Sequence, residues 1–403
     1  MQMEAGLKQF DRKLRSVQLD EEKEKKKKAR NKGILITVIL FVAAASITVL
    51  VFAGKKWWQK PYDTYGIVSS QELTTDSSVR YAVYGQGYIT YDRDGVRAFT
   101  ASGEQLWNAS YNLKNPIIAV CEPYTAVADK GAGQFYIIDN KGTTNTFSIS
   151  GKIADIAVAV QGVTAVLATE KDRDHIYLFE PNKREQLVDI MIMTKQNGFP
   201  MAIALSQDGK KLVTSYLSTE GGALKSWVTF YNFGDVGQNF VDQMVASYAF
   251  DAIVPEVAFL TNEMVIVGGD NSISLYRMTE VPKVRMNENF DMQIKSIFYS
   301  STYTGVVLKG KTGEQDKLFL YNNNKAKKVL EIDFTYEYND IYTQQEDIVL
   351  YGGQEMTILR TNGKLKFHTT FSKNVKYVFG VDNKEKYLVI GDQAAELIQL
   401  KRQ

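Results

Sequence analysis

Three hydrophobic patterns follow one another along the chain. In residues 1–32, Met3, Leu7, Phe10, Leu14 and Val17 recur at alternating steps of four and three, which places them on one stripe of a helix. Residues 34–53, "ILITVILFVAAASITVLVFA", then run uncharged. At about 1.5 Å rise per residue that helix covers about 30 Å, the hydrocarbon thickness of a bilayer. After a short stretch, residues 61–78, the chain settles into strands of five to eight residues separated by turns, and no helical period of comparable length returns.

The strands come in units. Eight segments share the place of a third strand: "GVRAF", "QFYII", "HIYLF", "WVTFY", "SISLY", "KLFLY", "MTILR" and "AELIQ". Their intervals of roughly 38 to 52 residues suit four-stranded propeller blades. Small residues recur where the strand nearest the axis is expected: Ala119, Ala157, Ala202, Ala204, Ala258 and Gly380. The last unit ends one strand short, and residues 62–73 are placed to supply it, closing the ring and removing open edges. The predicted fold class is therefore all-β: an eight-bladed β-propeller on a single N-terminal transmembrane helix, or a seven-bladed one if two units merge. The expected divisions are a basic amphipathic cytoplasmic tail (1–32), a transmembrane signal anchor (33–54), a juxtamembrane linker (55–61) and the propeller (62–403).

Charge gives the anchor a direction. Residues 1–54 carry 11 Lys+Arg against 6 Asp+Glu, leaving 37 basic and 40 acidic residues for the remainder. The run "KEKKKKARNK" precedes the apolar block, while "KKWWQK" follows it. This asymmetry predicts a cytoplasmic N-terminus and an extracytoplasmic propeller, with Trp57 and Trp58 as interfacial anchors. A cleaved signal peptide usually has a shorter apolar core and a shorter basic head, so a retained anchor fits better. The tail stripe, with Leu7, Phe10, Leu14 and Val17 on one side and Arg12 and Arg15 on the other, has two readings. It lies on membrane lipid, apolar side down, or it docks a cytoplasmic partner. The net negative charge of the large part is wrong for a nucleic-acid partner, which needs a basic surface.

Candidate chemistry is sparse. One cysteine, Cys121, excludes an intramolecular disulfide and a thiolate metal cage. His175 and His368 have no evident partners in sequence. The segment from Gly305 to Thr312 fits the phosphate-loop pattern G-x-x-x-x-G-K-T, but it reads as strand, turn and strand, whereas a phosphate loop must lead into a helix. "DRDG" at 92–95 and "DRDH" at 172–175 start like calcium loops yet lack the remaining ligands; Asp and Gly are also what a β-turn needs. No catalytic, cofactor-binding or metal-binding residue emerges, and no cofactor is expected.

The repeat "DRDGVRAFTASGEQLW", with weaker echoes in "NKGTTNTFSI" and "TNGKLKFHTTF", resembles the quinoprotein (PQQ-like) type of propeller. With its basic tail and anchor, the chain is similar to uncharacterised single-pass membrane proteins of clostridial-type bacteria that carry such a propeller outside the cell. The resemblance implies a scaffold more than a cofactor enzyme. Quinoprotein dehydrogenases repeat a tryptophan-docking sequence in most blades, and of the 4 Trp here only Trp107 and Trp227 lie beyond the membrane flank. The expected function is a non-catalytic protein-binding scaffold at the cell envelope, meeting an envelope protein through its loops. An extracytoplasmic ligand sensor signalling through the tail, and a propeller hydrolase or quinone enzyme, are the alternatives.

Overall fold

The hairpin turns that space the strands show their chemistry residue by residue. Asp92 Oδ1 accepts the amides of Asp94 and Gly95 at 2.8 and 3.0 Å, and Asp139 Oδ1 accepts those of Lys141 and Thr143, each at 2.8 Å. An aspartate used this way replaces a backbone turn bond. Gly142, in the second of these turns, has φ +82°, and a Cβ there would sit 2.7 Å from the Asn108 carbonyl oxygen of the neighbouring blade. The turn's hand and the blade-to-blade approach both demand glycine.

The structure is a computed structural model describing residues 15, 22–28, 30–32, 37–41, 43–44, 46–49, 60–73, 78–171, 173–193, 198–219, 222–381 and 385–402. It divides into two units, 1–60 and 61–403. In the first, one helix, Glu22–Val49, is long and apolar enough to cross a membrane. Within it the Thr48 hydroxyl donates to the Ala44 carbonyl at 2.8 Å, which satisfies a polar group that lipid could not.

In the second unit, eight four-stranded antiparallel sheets form an eight-bladed propeller. Blades 1 to 7 occupy residues 80–110, 116–148, 152–193, 199–250, 256–289, 294–334 and 340–370. Blade 8 takes three strands from residues 375–401, and its outer strand is Thr64–Glu72, paired antiparallel with the last strand of the chain from Thr64↔Lys401 to Glu72↔Ala394. All eight third-strand segments quoted above occupy the third strand of a blade. In seven blades a register shift interrupts the pairing of third and fourth strands, as between Leu178 and Phe179 or Leu320 and Tyr321. Such bulges increase local twist, which a propeller blade requires.

The core is a ring of eight apolar clusters, one between each pair of neighbouring blades. Between blades 2 and 3, Phe135 stacks on Phe147 at 5.0 Å and tilts against Phe179 at 5.1 Å. Fully burying a side chain of this size contributes roughly 1.5–3 kcal/mol. Trp107, in the opening repeat, is buried against Tyr84, with its indole N–H donating to the Tyr84 hydroxyl at 3.1 Å. The seam between blades 7 and 8 holds a buried ion pair, Lys366 with Asp347, joined by the Tyr387 hydroxyl, which donates to the same carboxylate oxygen at 3.1 Å.

Candidate functional site: an aromatic pocket beside the propeller axis

The inner strands are not equivalent around the ring. Those of blades 2 to 5 carry the alanines expected from the sequence, at 119, 157, 202, 204 and 258, and lie close to one another. The inner strands of blades 7, 8 and 1 are "DIYTQ", "VKYVFGV" and "RYAVY". They stand farther apart, because rings that size keep backbones from closing up.

The space left is a cavity of about 560 Å³, within the range of small-ligand sites. It runs along the inner strand of blade 7 from Asp340 to Gln345 and is walled by Tyr81 and Val83 of blade 1 and Tyr377 to Gly380 of blade 8. Tyr299 of blade 6 also reaches it. Tyr81 and Tyr377 meet at 5.1 Å, and Tyr377 stacks on Phe379 at 6.1 Å. These are aromatic-pair distances, so one wall is continuous across the seam between blades 8 and 1.

The polar side chains of the pocket are tyrosine and threonine hydroxyls and glutamine amides, which donate or accept, together with the carboxylate of Asp340. The Tyr351 hydroxyl donates to Asp340 Oδ2 at 2.7 Å, and Asp340 Oδ1 takes the Ile341 amide at 2.8 Å. Gln344 Oε1 and the Tyr342 hydroxyl are buried without a hydrogen bond of good geometry. The Gly380 amide nevertheless lies close enough to Tyr342 to favour its charged form slightly. Gln344 can lie where it does because residue 380 is glycine: a Cβ there would collide with the Gln344 amide. At the mouth, Glu122 of blade 2 sits against Gly85, whose hypothetical Cβ would be 2.6 Å from its carboxylate. Among the described residues no Lys, Arg or His lines the cavity. Burial pushes the Tyr81, Tyr342 and Tyr351 phenols up from their usual value, the last also through its bond to Asp340. They are neutral at any working pH and offer electron-rich ring faces.

The motifs singled out from sequence lie elsewhere. The phosphate-loop match runs from strand Tyr303–Leu308 through a hairpin into strand Asp316–Asn322. Its Gly310 amide is taken by Asp316 Oδ1 at 2.9 Å. "DRDG" is the aspartate turn described above; Asp172 of "DRDH" lies outside the described residues. His175 Nδ1 pairs with Asp189 Oδ1 at 2.7 Å, and His368 Nδ1 with the Thr357 hydroxyl at 2.9 Å, each across a strand pair. Among the described residues no group of three His, Cys, Asp or Glu side chains is arranged to hold a metal. Arg15 is helical and exposed. Leu7, Phe10, Arg12, Leu14, Val17, Trp57 and Trp58 lie outside the described residues.

Sequence reasoning missed the pocket. Its signal was present in the aromatics of "KSIFY", "DIYTQ", "VKYVFGV" and "RYAVY", at inner-strand positions where other blades carry alanine. They read as ordinary strand residues until the blades were numbered around a ring.

Solved propellers share the architecture at low identity. BamB from Moraxella catarrhalis matches with a TM-score of 0.51 and 12% identity over 84% of this chain and 100% of that one. Sqt1 from Saccharomyces cerevisiae matches with 0.54 and 12% over 84% and 100%. Sqt1 from Chaetomium thermophilum, solved bound to the N-terminus of ribosomal protein L10, matches with 0.54 and 12% over 83% and 100%. No curated protein matches. Residues 58–400 match the model of DUF5711, a family of unknown function, and the chain belongs to that family.

Proposed function

We propose that the protein is a membrane-anchored, extracytoplasmic propeller that acts as a non-catalytic protein-binding scaffold at the cell envelope. The observation that carries this reading is a ring closed by its own N-terminal strand, with an aromatic recess among its inner strands. A closed ring of this kind is a stiff platform whose loops present side chains at low ordering cost. A propeller of the same fold that holds a peptide terminus, the Chaetomium Sqt1, supports a peptide or protein as the partner. The apolar helix and its basic flank support anchoring with the N-terminus in the cytoplasm. The tail stripe of residues 3–17 rests on the inner leaflet or docks a cytoplasmic partner.

The test is photo-cross-linking in cells, with a photoreactive residue placed in turn at propeller loop positions of the full-length protein. Recurrent capture of one envelope protein is the expected result; no capture from any loop position overturns the scaffold reading. Deleting residues 3–19 separates an anchor from a sensor. A scaffold retains partner capture and cellular phenotype, whereas a signalling tail loses the phenotype with capture intact.

A further inference from the structure

The connection between the third and fourth strands of blade 4 differs from its counterparts. It takes residues 233–243, against 100–104, 139–143, 180–185, 279–281, 323–326 and 361–364 in blades 1, 2, 3, 5, 6 and 7. Apolar side chains at and beside its tip face solvent: Phe240 is 41% exposed, Met244 43% and Val241 80%. Val241 is more exposed than any other large apolar residue among the described residues, those of the membrane-length helix included. Leu106, Val329 and Leu365, by contrast, each stand alone on the outer strand of a separate blade, which is ordinary for a surface. The loop is also built to hold its shape. A Cβ at Gly237 would collide with the Asn232 carbonyl, and the Asn232 side-chain amide donates to the Glu280 carbonyl of blade 5 at 3.0 Å. The Gly237 amide donates to the Gly234 carbonyl at 3.0 Å, and the Phe240 amide to the Gly237 carbonyl at 2.9 Å. Asp242 and Gln243 take φ values of 53° and 55°, a region that L-residues enter at a cost. An ordered backbone thus holds its apolar residues outward.

The chain itself supplies the partner that such a loop fits. The third strand of blade 8 ends at Lys401, opposite Thr64. Residues 61–63 therefore enter the ring at the end of the blades that carries these third-to-fourth connections, and blade 4 lies across the ring from blade 8. The Tyr62 and Asp63 amides are fixed there by the Lys366 and Lys401 carbonyls at 2.8 and 3.1 Å. Residues 54–61, between Tyr62 and the apolar stretch 34–53, reach at most about 3.3–3.6 Å each, about 30 Å in all. Resting on the membrane-anchored reading, we propose that the 233–243 loop is a lipid-contact element. Phe240 and Val241 enter the headgroup region of the bilayer that residues 34–53 cross, with Met244 beside them. One tether leaves a ring free to tilt, and a second contact at the opposite blade fixes the face it shows. Three side chains are too few to hold a protein on a membrane from solution. The tether makes their insertion intramolecular, where weak contacts suffice. The loop carries Asp235 and Asp242 and no Lys or Arg, so the insertion is apolar and gains nothing from anionic headgroups.

The experiment uses purified full-length protein in phosphatidylcholine nanodiscs, with a photoreactive residue at Val241. The control position is the exposed Asn271, in the turn between the second and third strands of blade 5 and so at the other end of the ring. Phospholipid adducts are read by mass spectrometry, and no other protein is present to compete. Val241 should give at least about tenfold more lipid adduct than Asn271. With the photoreactive residue moved to the exposed Gln238, Phe240→Ser together with Val241→Asp should cut the adduct about tenfold. The same double change should move the melting temperature by no more than about 2 °C, as surface substitutions do. Equal yields from Val241 and Asn271, or a Gln238 adduct that survives the double change, would each overturn the proposal. Retention in the nanodisc separates the two levels of inference. A chain that is not retained sinks the anchored reading, whereas a retained chain whose loop gives no adduct sinks the lipid contact and leaves the anchor standing.

Discussion

Two arcs of the same ring have been built from opposite choices at equivalent places. In blades 2 to 5 the inner strands use alanine and the backbones draw together. In blades 7, 8 and 1 they use tyrosine and phenylalanine, the strands part, and a cavity of about 560 Å³ remains. The outer parts of the blades do not differ in kind, since each arc has an apolar cluster between every pair of neighbours. Closing the ring and opening a pocket are therefore separable tasks. The first belongs to the middle strands, the second to the few side chains of the innermost strand that face the axis.

The comparison is broken most forcefully between blades. Phe135→Ala, at a fully buried position between blades 2 and 3, should cost about 3–5 kcal/mol, seen as a loss of roughly 4–7 °C in thermal melting. In the open arc the counterpart is Lys366→Met. It leaves the Asp347 carboxylate buried without its cation and should cost about 3–5 kcal/mol, whereas the double change Lys366→Met with Asp347→Leu should recover most of that loss. Recovery in a double-mutant cycle checks that the seam between blades 7 and 8 is held by packing and not by the ion pair.

Next in size are paired changes on the inner strands. Ala157→Tyr, which puts an open-arc residue into the tight arc, should destabilise by about 1–3 kcal/mol through overpacking. Phe379→Ala, the reverse exchange beside the pocket, removes a ring that already borders empty space and should cost less than Phe135→Ala in the same melting assay. Equal costs for Phe379→Ala and Phe135→Ala would erase the distinction between the arcs.

The smallest expected effect is on pH dependence. Burial raises the Glu256 carboxyl above the usual glutamate value, with the Tyr299 hydroxyl partly opposing it. The folded protein thus keeps this proton to higher pH than the unfolded chain. Stability from this group is present at low pH, declines as pH rises from the ordinary glutamate range through the raised folded value, and is flat above it. Glu256→Gln should remove that decline from a series of melts and leave the rest of the pH profile intact.

The architecture was largely legible in the sequence. The eight third strands could be read because each repeats a short, largely apolar run: "QFYII" and "SISLY" are buried almost throughout. The quinoprotein-like repeat at 92–107 carried the fold. The phosphate-loop match at 305–312, read from sequence as strand, turn and strand, and "DRDG" at 92–95, read as a turn, are both what the structure holds there. Asp and Gly serve hairpins and ion loops alike, and only the element that follows tells them apart. The inner-strand rule of small residues held at Ala119, Ala157, Ala202, Ala204 and Ala258. At Gly380 it acquired another meaning, since this glycine makes room for the Gln344 side chain.

The sequence by itself determined what depends on local order: an apolar stretch of membrane length at 34–53, a basic flank, short strands separated by turns and eight repeating units. Tertiary structure alone decided the register that docks Thr64–Glu72 onto the last strand and the gap beside the axis. It also decided the meeting of Tyr81, Tyr377, Asp340 and Gln344, residues drawn from three blades and as much as 296 positions apart. A strand's burial is written in its neighbours along the chain. A pocket between strands is written in the sizes of side chains that become neighbours only when the ring closes.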